Sequence, residues 1–247
     1  MVWGNSEEDE QVVGGQPPGT SFSQAGRWGG GATTSALCKK MTHRNSSMNP
    51  AQAYRSLEAA LMTVIPDAVK KAASDEQYYC LRVYFDGTDT PGESYATRLR
   101  LLTQDHREKF VAKYPESAYS IWFADETDCA EQGPDVRLDE YREVTEPCRV
   151  IYQALCGNEQ RHLKLLRRTI RRVAERLNRL DWTTICRATD DFVVFPADGS
   201  HTFHDDFAEM AASVPLPRLR LLRSRRFLPA WAYAYLFARR VVGKYWK

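Results

Sequence analysis

Leu163, Leu166, Ile170, Val173, Leu177 and Leu180 recur at intervals of 3, 4, 3, 4 and 3. That spacing draws one apolar stripe down a helix about 30 Å long. The opposite face carries Arg161, Lys164, Arg167, Arg168, Arg171, Arg172, Arg176 and Arg179. Cys156-Gly157-Asn158 supplies a break and an N-cap before it. Such a stripe must be buried against something, and the residues that follow, LDWTTICRATDDFVVF (Leu180–Phe195), offer Trp182 and an apolar strand closed by Pro196. The expected core is Leu81, Val83, Phe85, Leu166, Ile170, Val173, Leu177, Trp182, Val193 and Phe195.

Upstream, residues 1–47 are rich in Gly, Ser, Thr and Pro, as in GGQPPGTSFSQAGRWGGGATTS, and are expected to be a disordered extension. Met41 and Met48 stand at its end, and translation is expected to begin at one of them; an intact mass of 28.3 kDa would oppose that. Asn49 as N-cap and Pro50 at the first helical position open the ordered part. Tyr54, Leu57, Leu61 and Val64 then keep helical spacing until Pro66, which is expected to end or restart the helix.

From Tyr78 the period drops to two. Tyr79, Leu81, Val83 and Phe85 alternate, DGTDTPGE (Asp86–Glu93) turns, and Tyr95, Thr97, Leu99 and Leu101 alternate again. An antiparallel hairpin follows from that. Further expectations are a helix over 104–114, a third strand over 119–123, helices over 136–144 and 147–155, and a helix over 203–212. Strands early and helices late predict an α+β fold: a small antiparallel sheet, an early hairpin plus one or two later strands, packed by several helices. The expected organisation is an extension over 1–47, one domain over 48–228, and a basic aromatic tail over 229–247.

Charge is segregated although the net is only +2. Ile121–Glu146 holds nine acids against Arg137 and Arg142, whereas Pro217–Lys247 holds nine Lys/Arg and no acid. Six cysteines without a repeating spacing read as free thiols of a reducing compartment. The N-terminus MVWGNSEEDE has acid where a signal peptide needs base, so a cytoplasmic location is expected.

Four constellations carry possible chemistry. The arginine face, Arg167, Arg168, Arg171 and Arg172 above all, suits anions such as a nucleic-acid backbone. A solvated face paired with the acidic segment 125–146 is the preferred account. Residues 229–247, with Trp231, Tyr233, Tyr235 and Phe237 among eleven uncharged residues from Leu228 to Ala238, are too short to span a bilayer but suit an anionic surface. Its alternatives are a docked terminal helix or a disordered end. His201, His204, Asp205 and Asp206 form a candidate metal set for a hydrolase, set against a helix start with first-turn acids. Asp190-Asp191 could serve as acid/base or metal carboxylates, set against the preferred account, in which they turn the chain ahead of the strand. Nucleophile elbows, phosphate loops, zincin motifs and kinase motifs are absent, and no cofactor is expected.

YYCLRVYFD (Tyr78–Asp86) and DWTTICRATDDFVVFPAD (Asp181–Asp198) resemble the opening strand and the late segment of small bacterial α/β domains of unknown function. Some of those are taken as toxin-immunity proteins. The resemblance spans about residues 49–228 and implies no catalytic or ligand residues. It implies a non-enzymatic protein-binding module, immunity-like or sequestering. Asp125, Glu126, Asp128 and Glu131 are the candidate contacts to a partner with a basic surface.

Overall fold

In the computed structural model, residues 48–84, 98–126, 133–155, 159–197 and 203–245 are described. Seven α-helices among them surround a four-stranded mixed sheet, an α+β fold. The helices are α1 (Pro50–Ala72), α2 (Gln104–Lys113), α3 (Arg142–Leu155), α4 (Glu159–Leu177), α5 (Phe203–Ser213), α6 (Leu216–Ser224) and α7 (Ala230–Tyr245). The strands are β1 (Tyr78–Tyr84), β2 (Arg98–Thr103), β3 (Asp135–Arg137) and β4 (Ala188–Ala197), in the order β3-β2-β1-β4. The extension over 1–47, Phe85 and the turn 86–93 lie outside the described residues.

α1 begins where the sequence places it. The Asn49 side chain accepts from the Gln52 amide at 2.9 Å, and Gln52 answers by accepting from the Asn49 amide at 3.0 Å. This reciprocal box satisfies two otherwise orphaned donors. Pro66 does not end the helix but lies inside it. It removes one backbone bond, and burial of Ile65, Ala68 and Val69 around it holds the helix together.

β1 and β2 form the expected antiparallel hairpin, with Leu81 opposite Leu101 and Val83 opposite Leu99. β4 joins β1 in parallel, Leu81 beside Val194, so the sheet is mixed and not purely antiparallel. β4 is an edge strand, and Pro196 stands within it rather than closing it, as an edge tolerates. Apolar residues cover both faces of β1, so it reads as nearly continuous burial and not as alternation. Leu81 and Val83 enter a core with α1, α3 and α4; Tyr79 and Cys80 enter a second core with Trp122, Phe195, Phe207 and Leu222.

Two expectations over 119–144 are overturned. Residues 115–126 form a 3-10 segment, not a strand. Its buried Ala118, Ile121 and Trp122 recur at helical rather than alternate spacing. Residues 135–137 are a strand, not the start of a helix, because β2 offers them a ladder: Leu99 pairs with Val136 and Arg100 with Asp135. The two helices expected over 136–155 are accordingly one, α3, with Pro147 inside it. α4 shows the stripe as expected: Leu166, Ile170, Val173 and Leu177 are each at most 1% exposed.

Candidate functional site

α1 and α3 pack side by side, and part of their seam stays open. Ser56, Ala59, Ala60 and Thr63 share one face of α1. Their side chains are too small to fill the space towards Arg142, Glu143, Glu146 and Pro147 of α3. With Met48 they line a groove of about 760 Å³. Its apolar surface comes from Met48, Ala59, Ala60 and Pro147. Its charge is mainly acidic: Glu143 is exposed and has no ion-pair partner among the described residues, while Glu146 accepts from Arg149 at 2.6 Å. Asp139 and Glu140, also exposed, lie just ahead of α3. Among the described residues that line the groove, Arg142 is the one cation.

The groove stands at the far end of the acidic stretch that carried the expected partner contacts. Asp125 and Glu126 close the 3-10 segment, but their side chains fall outside the described residues, as do Asp128 and Glu131 altogether. Nothing in a linear reading places Glu143 and Glu146 beside the small face of α1, so the sequence does not single them out within the acidic stretch. Asp135 is committed to the sheet: it accepts from Arg98 at 2.7 Å and Arg100 at 2.8 Å. Partial burial pushes its acidity down, but those two guanidiniums outweigh it and hold its carboxyl below the usual value.

The arginine face of α4 is paired, and the described part of the segment 125–146 supplies none of the partners found among the described residues. Its partners among the described residues lie on α1, α4 and α5. Glu209 of α5, 2% exposed, accepts from Arg167 and, bidentately at 2.9 and 2.7 Å, from Arg171. Glu58 of α1 accepts from Arg172 at 2.9 Å and Arg176 at 3.4 Å. Arg179 donates to Glu175 at 2.9 Å. Arg168 and Lys164 are exposed, with no carboxylate partner among the described residues. The cations thus clamp α4 to its neighbours on both sides, and each shared glutamate is half the charge it faces.

Asp190 and Asp191 do not turn the chain. Both lie within β4, and Asp191 is fully buried. It accepts from Arg107 at 3.0 Å and from the Thr189 hydroxyl at 2.7 Å, with Arg225 at 3.1 Å. Arg107 is itself stacked between the Tyr79 and Phe227 rings, 4.7 and 4.5 Å from their centroids. Asp190, at the surface, takes Arg225 bidentately at 2.6 and 2.6 Å, which holds its carboxyl below the ordinary pKa. The cluster ties α2, β4 and the end of α6 together. Every charge in it that is out of water has a counter-charge, the arrangement of a structural network.

His204, Asp205 and Asp206 fall in the first turn of α5, though their side chains, and His201 entirely, lie outside the described residues. Among the described residues no group of three or more His, Cys, Asp or Glu is arranged to hold a metal. Cys80, Cys148 and Cys186 are buried and form no disulfide among the described residues. Comparison of the chain with protein-family models, with characterised proteins and with solved structures returns no match.

Proposed function

We propose that the protein is a non-enzymatic binding module whose α1–α3 groove captures a basic segment of another protein, in an immunity-like or sequestering role. The observation that carries this reading is the groove itself, apolar along α1 and rimmed by Glu143, with Asp139 and Glu140 close by. An amphipathic segment would lay apolar side chains against Ala59 and Ala60 and direct Lys or Arg to the acidic rim. Complementary charge speeds such an encounter and selects its partner. The resemblance of Tyr78–Asp86 and Asp181–Asp198 to domains taken as immunity proteins points the same way. Nucleic-acid binding through α4 has less behind it, because Glu58 and Glu209 hold four of the arginines such binding would use.

The test compares the full-length chain with Ala60→Arg and Glu143→Lys variants. The product of a neighbouring toxin-like gene, purified, is titrated against each. Nanomolar to micromolar binding that weakens at least about 10-fold in either variant and with added salt supports the reading. Equal affinity for all three proteins overturns it, as does the absence of both a captured partner and such a gene.

A further inference from the structure

α7 presents the wrong face to water. Ala230, Trp231, Ala234, Tyr235, Phe237 and Ala238 are all exposed. At 3.6 residues per turn they form one arc covering roughly half the helix circumference. Trp231 is 47% exposed, Tyr235 38% and Phe237 46%. Ala232 is buried on the opposite side, where α7 meets α5. A surface helix ordinarily turns its charges outward, yet Leu228–Ala238 contains none.

The side of this arc that meets α6 is cationic, and Trp231 also packs edge-on against Tyr119 and Phe207. Arg220, Arg223 and Arg226 of α6 and its C-terminal turn are exposed. Arg223 rests over the Tyr233 ring, 5.4 Å from its centroid, and Arg220 and Arg226 have no carboxylate partner among the described residues. Pro215–Lys247 holds nine Lys/Arg and not one acid. The turn joining α6 to α7 is also built to hold its shape. Arg226 adopts φ 65°, the Phe227 amide donates to the Leu222 carbonyl at 2.9 Å, and the Arg226 amide donates to that of Arg223 at 2.9 Å. This is a Schellman motif with arginine at the left-handed position. The Phe227 carbonyl is fastened in turn by the Trp122 indole at 2.7 Å.

We propose that α7, with the arginines of the preceding turn, docks on an anionic lipid surface. Trp and Tyr are the side chains that settle at the headgroup level, and arginines beside them reach lipid phosphates. α7 has 16 residues, and no described helix is long and apolar enough to cross a membrane, so α7 lies in the plane of the interface. A second copy docking the same face would bring arginine against arginine, with no acid in the segment to relieve it. A nucleic acid would use the arginines but leave the alanine–aromatic arc uncovered. This surface is separate from the α1–α3 groove, and either can fail without the other.

The experiment is co-sedimentation of the full-length chain with vesicles of phosphatidylcholine alone and of phosphatidylcholine mixed with phosphatidylserine. Partition is expected to be at least about 10-fold stronger on the anionic vesicles and to weaken as salt rises. Trp231→Ser with Phe237→Ser should reduce it about 10-fold, and Arg220→Glu with Arg226→Glu should abolish the anionic preference. Circular dichroism and the melting temperature confirm that each variant is folded. No partition by the wild type overturns the proposal. So does equal binding to both vesicle types, or retention of binding by the Trp231/Phe237 variant. A single-stranded oligonucleotide bound in preference to anionic vesicles overturns it in favour of nucleic acid.

Discussion

The Asn178 side chain closes on the Val194 peptide from both ends. Its Nδ2 donates to the Val194 carbonyl at 2.6 Å, and its Oδ1 accepts from the Val194 amide at 2.9 Å. The same Nδ2 reaches the carbonyls of Ala174 at 2.9 Å and Ser213 at 3.1 Å. One buried carboxamide therefore serves as a further strand residue for the edge of β4, joining it to the ends of α4 and α5. An edge strand with unpaired peptide groups is a liability, and here part of it is covered from within. Asn178→Ala leaves a buried N–H and C=O without partners and should cost about 2–4 kcal/mol. Urea unfolding reads this as a lower midpoint at unchanged slope. A loss under about 0.5 kcal/mol, the scale of surface substitutions, would contradict it.

Asp191 and Arg107 are 4% exposed or less on both sides and 3.0 Å apart. Removing one charge strands the other out of water, so Asp191→Asn should destabilise by about 3–5 kcal/mol. Arg107→Met combined with Asp191→Leu should recover a large part of that loss, since an apolar pair carries no desolvation penalty. A double-mutant cycle in denaturant measures the coupling; strict additivity of the two single substitutions would show the pair to be unimportant.

Gly133 has φ 134°, and a Cβ there would lie 2.0 Å from the Leu101 carbonyl oxygen. The backbone approaches β2 this closely because the neighbouring Pro134 carbonyl accepts from the Leu101 amide at 3.2 Å. Gly133→Ala combines a strained dihedral with a backbone clash and should cost at least about 2 kcal/mol. Amide exchange at Leu99 and Val136, which pair across β2 and β3, should accelerate more than exchange in α4.

Burial pushes the Cys148 thiol up to about 12 and the Cys186 thiol up to about 11, from 9.0. Both are therefore neutral and poorly nucleophilic at neutral pH. In the folded protein they should resist alkylation at pH 8 and react once denaturant is added. Because the folded values are raised, the unfolded chain loses these protons first. Stability present below pH 9 should then fall as pH rises towards 11 and 12, by up to about 1.4 kcal/mol per pH unit for each thiol. Cys148→Ala should flatten its share of that slope; an unchanged slope would refute the assignment.

Ile170 is fully buried in the centre of the α4 stripe. Ile170→Ala should cost about 2–5 kcal/mol in equilibrium unfolding, and a value near zero would place the stripe on the wrong side of the helix.

The elements that a linear reading finds are those with a short-range cause. The 3-4 spacing of Leu166, Ile170, Val173 and Leu177 needs only the helical period, and the Asn49–Gln52 box spans a single turn. The β1–β2 hairpin is found from two runs of strand-forming residues on either side of a turn sequence, although β1 itself is buried on both faces and does not alternate. All of the expected core that falls within the described residues is at most 3% exposed. What failed to show in the sequence involves choices between distant neighbours. Residues 135–137 become a strand only because β2 is there to pair with, and residues 119–123 lose strand geometry because Trp122 is drawn into the core beside Phe195, 6.1 Å away.

The sequence by itself determined the α+β class, the start of α1, the apolar stripe of α4 and the segregation of charge, since each depends on residues within a few turns of one another. Tertiary structure alone decided what the charges do. Arg107 meets Asp191 across 84 residues, and Arg172 meets Glu58 across 114. At such separations local periodicity carries no signal, and only packing brings the partners together. It turned Asp191 from an expected turn residue into a buried anchor, and gave the arginine face, expected to pair with the segment 125–146, Glu58 and Glu209 to clamp. It also set the small face of α1 beside the acids of α3, which makes the groove proposed for a basic partner.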